Sequence, residues 1–167
     1  MNKKGFTLVE LLAVITILGV VMMIGTISIT GIKNKMDQNM FENKLDFVLK
    51  AARSYGQDNQ SKIALGMNAT IGGKAVTYKL VPIGDLISSE DLEADETDDD
   101  GNKSINHYID KVSINNLKIA VYVLNNRIYT CIPVDDSIIS GTSNNASILF
   151  KGQLQKESFA NQNLFCS

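Results

Sequence analysis

His107, Cys131, Cys166 and the acidic run Asp95-Glu96-Thr97-Asp98-Asp99-Asp100-Gly101-Asn102 hold most of the side chains in this sequence that could do chemistry. His107 is the only histidine. No second imidazole can join it on a metal, and no nucleophile elbow or phosphate-cradling glycine loop accompanies it. It is expected as a surface or half-buried side chain. The cysteines stand 35 positions apart with no CxxC, which does not resemble a zinc site. They pair if the chain is exported and stay reduced if it is cytosolic. An EF-hand loop turning at Gly101 would draw on Glu96, Asp98, Asp100 and, at its last position, His107. The first is the wrong acid and the last is no calcium ligand. A looser oxygen-rich calcium site would use Asp98 and Asp100, against the plainer reading of a solvated acidic loop. The sequons at Asn68, Asn102 and Asn145 are expected by chance in an Asn-rich chain, and no glycan is assigned to them.

One further acid stands apart. Phe6 opens the apolar run FTLVELLAVITILGVVMMIGTISITGI, 27 residues whose only charged side chain is Glu10. About 20 apolar residues suffice for a helix to cross the hydrocarbon, but a carboxylate inside such a helix is costly and calls for compensation. A cleaved secretory signal would have a shorter apolar region ending in a small-residue cut site. A plain signal anchor explains the length and gives Glu10 no use. A lipoprotein is excluded, because no cysteine follows the run.

Residues 1 to 30 resemble the class III leader of type IV pilins and pseudopilins. The matching residues are the short basic leader Met1-Asn2-Lys3-Lys4-Gly5, then Phe6-Thr7-Leu8-Val9-Glu10, then the unbroken apolar run. The resemblance implies a cut by prepilin peptidase between Gly5 and Phe6 on the cytoplasmic face. It implies N-methylation of the new terminus at Phe6 and a role for Glu10 in assembly. Cleavage creates an α-amine at Phe6 that would be buried in a filament core of packed helices. Glu10 of one subunit is placed to meet that amine on the next, since a buried charge is tolerated only when paired. The basic flanks, Lys3 and Lys4 against Lys33 and Lys35, are nearly balanced, so the leader and not the charge bias sets a cytoplasmic N-terminus.

The elements that must position these residues follow from periodicity. From Met36 onward, Phe41, Leu45, Val48, Ala52 and Tyr55 recur at steps of four and three, one apolar stripe of a helix. No proline occurs before Pro82, so one continuous helix from Phe6 to about Asp58 is expected, roughly 80 Å long at 1.5 Å per residue. Gly19, Gly25 and Gly31 within it suit close helix packing. The proline that pilins often carry there is missing, which argues against local unwinding. Beyond Tyr55, residues 75 to 81 are β-prone, GDLISSEDLE suggests a short helix, and residues 117 to 134 read as a strand pair turning at Asn125-Asn126. SILFKG, residues 147 to 152, is expected as a further strand. The layout is α+β: a long N-terminal helix packed on a C-terminal antiparallel sheet, which is also what the pilin resemblance implies.

The domain plan is a leader at 1–5, a membrane and filament-core helix at 6–32, and a head at 33–167 that includes the amphipathic half of the helix. The formal net charge of −2 gives no argument for a nucleic-acid partner, and no cofactor is expected. Residues 85 to 100 carry nine acids and no base. The chain is read as non-enzymatic: a pilus subunit held first in the cytoplasmic membrane with its head outside, then in an extracellular filament. Its partners are identical or related subunits, prepilin peptidase and the assembly machinery. Such filaments serve attachment and twitching motility. The alternatives are a pseudopilin of a type II secretion or DNA-uptake machine, and a single-pass anchored binding domain that never polymerises. For an exported head, the resemblance adds that Cys131 and Cys166 form a disulfide that staples an Asn-, Ser- and Gln-rich tail to the sheet.

Overall fold

The computed structural model describes residues 7–151 and 155–167, and of residues 24–30 the backbone alone. Its first helix, α1, covers Leu8–Asp58 and runs through Gly19 and Gly31, as the absence of proline predicts. The chain divides into two units, Met1–Gln38 and Asn39–Ser167. In the first, the apolar side chains from Leu8 to Met23 are exposed, with Leu8 at 79 %. Among the described residues no helix is long and apolar enough to cross a membrane. Phe6 and the side chains of 24–30, both part of the expected 6–32 segment, lie outside the described residues.

In the second unit the predicted stripe is the buried face of α1. Phe41, Leu45, Val48, Leu49 and Ala52 are all in the core. A short α2, Gln60–Ala64, turns the chain into β1, Met67–Ile71, and β2, Lys74–Pro82. Gly72 and Gly73, with φ of 57° and 71°, make the tight turn between them. Next come α3, Ile83–Ser88, and a two-residue pair β3, Glu96–Thr97, with β4, Lys103–Ser104. The central strand β5, Lys118–Leu124, and β6, Arg127–Cys131, form the expected hairpin. Asn125 and Asn126 take φ of 51° and 59°, the left-handed pair that such a turn requires.

The main sheet has the order β1-β2-β5-β6 and is antiparallel throughout. Alternation along β5 sends Ile119 and Val121 to the α1 face and Ala120 to the other. The second face packs Ile71, Val76 and Tyr78 with Ile139, Cys131 and Cys166. The sheet is thus covered on both sides. Gly56 allows α1 to lie close on it: a Cβ there would come within 2.7 Å of Val121 and 2.8 Å of Ile128.

Two expectations fail. The segment expected as a strand from Ser147 is instead the end of a helix, α4, Ser143–Leu149. Asn145 anchors that helix by accepting from Lys118 N–H and donating to the carbonyls of Lys118 and Pro133. Beyond β6 the pairing is made instead by the tail, where Ile132 bridges Phe165. The second failure is His107, which is not a surface or half-buried residue but 0 % exposed. It packs against Phe41 and Tyr108.

The His107 ring is held as a neutral imidazole. Its Nε2 lies 3.0 Å from the Leu149 carbonyl, so it carries the proton, and its Nδ1 accepts from Ile109 N–H at 3.2 Å. Burial, above all, pushes its pKa below the ordinary value; the Leu149 carbonyl and the Asp110 carboxylate oppose this, while Lys151 and Lys111 reinforce it. The unfolded chain titrates near 6.5, so below that pH it binds more protons than the folded head does. Stability should therefore hold above about pH 6.5 and fall as pH drops through that value, by at most about 1.4 kcal/mol per pH unit. Thermal unfolding at pH 7.5 and 5.5 checks this. The difference should shrink in His107→Gln, and an unchanged difference would assign the acid sensitivity to other groups.

Candidate functional site

The start of α1 is built by Thr7 and Glu10. Thr7 N–H and Thr7 Oγ1 each donate to Glu10 Oε2 at 2.9 Å, and Glu10 N–H donates to Thr7 Oγ1 at 3.3 Å. Helix starts leave N–H groups without partners, and this reciprocal pair satisfies two of them. The sequence signal was present in Thr7-Leu8-Val9-Glu10 ahead of an apolar run, the Ser/Thr-x-x-Glu pattern of a capping box, and the reading above missed it. Around the carboxylate Leu8, Val9, Leu11 and Leu12 are exposed. Glu10 thus sits in an apolar surface with its acid folded back on its own backbone. Gly5 and Phe6 lie outside the described residues.

The second cluster is the tail. The structure joins Cys131, at the end of β6, to Cys166. Around the bridge, Ile132 N–H donates to the Leu164 carbonyl at 2.8 Å and Cys166 N–H to the Ile132 carbonyl at 3.1 Å. Ser167 O accepts from Gly72 N–H at the β1–β2 turn. Glu42 of α1, only 7 % exposed, accepts from Ala160 N–H and Asn161 N–H. Those partners are 118 and 119 positions away, so no local pattern marked Glu42 as a clamp on the tail.

The acidic run is organised as a turn. Asp98 Oδ1 accepts from the N–H groups of Asp100 and Asn102, and its Oδ2 accepts from the Asn102 side chain. These bonds, the Asn102 side chain foremost, hold the Asp98 acid below its ordinary pKa. Its oxygens brace the turn at Gly101. Among the described residues no group of three His, Cys, Asp or Glu side chains could hold a metal ion. His107 is held between the Leu149 carbonyl and Ile109 N–H, with the Asp110 carboxylate 3.8 Å from Nδ1.

Residues 1–31 match the family model described as the prokaryotic N-terminal methylation motif. No curated protein and no solved structure matches the chain. The matched stretch contains Gly5, Phe6, the Thr7–Glu10 cap and most of the apolar run. It carries a class III leader, consistent with a type IV pilin-like prepilin or pseudopilin. The α+β arrangement of the long helix and four-stranded antiparallel sheet is consistent with the pilin fold. Such a leader implies processing by prepilin peptidase and assembly into pilus-like machinery.

Proposed function

We propose that this chain is a structural, non-enzymatic subunit of an extracellular type IV pilus. It is made as a membrane-anchored prepilin, cut between Gly5 and Phe6, methylated on Phe6 and polymerised through α1. The observation that carries this reading is the class III leader followed by Glu10 alone in a 27-residue apolar run. In the assembled state the Glu10 carboxylate exchanges its Thr7 cap for the Phe6 amine of a neighbour, and the apolar surface around it becomes the filament core. The Cys131–Cys166 bridge, which staples the tail to the sheet, favours a pilin over the pseudopilin alternative.

Intact-mass spectrometry of the native protein tests the reading. Loss of residues 1–5 with one added methyl group on Phe6 is expected. A chain that keeps Lys3 and Lys4 would instead be a permanently anchored binding domain. Replacing Gly5 with a bulky residue should leave the leader attached, because the peptidase must accommodate the chain at the cut. Normal processing of that variant would refute the cut site.

A further inference from the structure

The head carries opposite charge on its two flanks. Lys44 and Arg53 of α1 are nine positions apart, about two and a half turns, and so face opposite sides of the helix. On one side Lys44 pairs with Asp95 and ties the acidic segment to α1. The β3–β4 hairpin continues from there, and its tip is fixed by Asp98, which leaves Asp99 and Asp100 exposed. On the other side Leu49 takes a hydrogen bond from Thr130 of β6, Glu42 holds the tail, and Arg53 reaches an open recess of about 520 Å³.

That recess is lined by Arg53, Lys156, Tyr122, Tyr129 and Asn163, beside the Cys131–Cys166 bridge. The two tyrosine rings stack at 5.7 Å, and Lys156 lies over the Phe165 ring at 5.6 Å. Among the described residues neither Arg53 nor Lys156 has an ion-pair partner. The recess is therefore a cationic, donor-rich pocket with an aromatic wall, and its volume is that of an ordinary ligand site.

We infer that this pocket receives the Asp99–Asp100 tip of the β3–β4 hairpin of a second copy of this chain, as a lateral contact between neighbouring heads. The inference rests on the filament reading above and names the residues through which neighbours meet. Charge complementarity selects the occupant: the segment 90–100 has eight acids and no base, and the pocket lining has two basic side chains and no Asp or Glu side chain, with Ser167 at its edge. The tip is held rigid by Asp98, so little order is lost on docking. Complementary surfaces on opposite flanks make a heterologous contact, which can add copies repeatedly and, where its rotation does not close into a ring, extends as an open helical array.

Two experiments on the full chain in its own cells test the pairing. Carbodiimide joins a lysine to a carboxylate only when they touch. A Lys156–Asp99 or Lys156–Asp100 peptide is expected in the cross-linked dimer band of the wild type. Its absence from protein recovered as filaments overturns the inference. In parallel, reversal of the pocket (Arg53→Glu with Lys156→Glu) or of the tip (Asp99→Lys with Asp100→Lys) should lower sheared filament at least about tenfold. The chain carrying all four changes should recover most of it, and a chain reversing Lys74 and Arg127 should resemble wild type. Wild-type yields from both single-sided variants, or a four-fold variant no better than either, overturns the contact. If the processed wild type makes no filaments, the filament reading fails; the dimer cross-link then still decides the contact.

Discussion

Glu10→Ala should insert in the membrane and lose its leader normally, yet yield sheared filament at about a tenth of wild type or less. The carboxylate has one partner within the subunit and, in the proposed filament, a second. Within the subunit it accepts from Thr7 and caps α1. On the proposed reading it neutralises the Phe6 amine of a neighbour in the filament, and removing one member of a buried pair leaves the other charge stranded. Glu10→Gln separates the roles. Glutamine can still occupy the third position of a capping box, but it carries no charge. The account expects Glu10→Gln to fail almost as fully as Glu10→Ala, while Thr7→Ala, which removes the hydroxyl part of the cap, assembles far better than either. A glutamine variant that assembles like wild type would show that capping, and not charge, is what Glu10 supplies.

The second large effect is on the stability of the head. The Cys131–Cys166 bridge closes a loop with a sequence separation of 35. Chain entropy for such a loop corresponds to about 4 kcal/mol, with native strain able to reduce it. A domain of this size has a net stability of about 5–15 kcal/mol. Without the bridge the tail keeps, among other contacts, the Ile132–Phe165 bridge, the Gly72–Ser167 hydrogen bond, the Glu42 clamp and the burial of Phe159, Leu164 and Phe165. Replacing both cysteines with serine should lower the thermal midpoint of the detergent-extracted full chain by upward of about 10 °C. Reductant should do the same to the wild type and nothing further to the double variant. Free, alkylatable thiols in surface protein, with a midpoint indifferent to reductant, would remove the staple.

Local signals were readable where the physics is local. The Phe41-Leu45-Val48-Ala52 stripe became the buried face of α1 because helical period alone decides which side is apolar. Asn125-Asn126 marked a turn because few residues tolerate two consecutive positive φ angles. Strand β1 was legible and overlooked: Met67-Asn68-Ala69-Thr70-Ile71 alternates apolar and polar over five residues, and Ala69 and Ile71 share the face packed against Val76 and Tyr78. SILF read as a strand because a short apolar run fits either element. Asn145 decided for helix through bonds to Lys118 and Pro133 that lie 27 and 12 positions away.

The candidate site divides the same way. The class III leader was legible because such a signal is read along the chain and must be encoded contiguously; the roles of Gly5, Phe6 and Glu10 within it belong to the proposal above. Thr7 was equally legible and was overlooked. Glu42 and His107 were not, since their roles come from the tail and from Leu149, far along the sequence. The Arg53–Lys156 pocket is likewise assembled from α1 and the tail, with nothing local to announce it.

The central claim is that the chain polymerises through its cleaved N-terminal helix. Electron microscopy of material sheared from the cell surface, joined to N-terminal analysis of the same filaments, tests it most directly. The account predicts thin filaments made of this chain, each subunit beginning at a methylated Phe6. Cells that make the processed protein in full but carry it only as membrane-bound single subunits, with no filament containing it, would contradict the account.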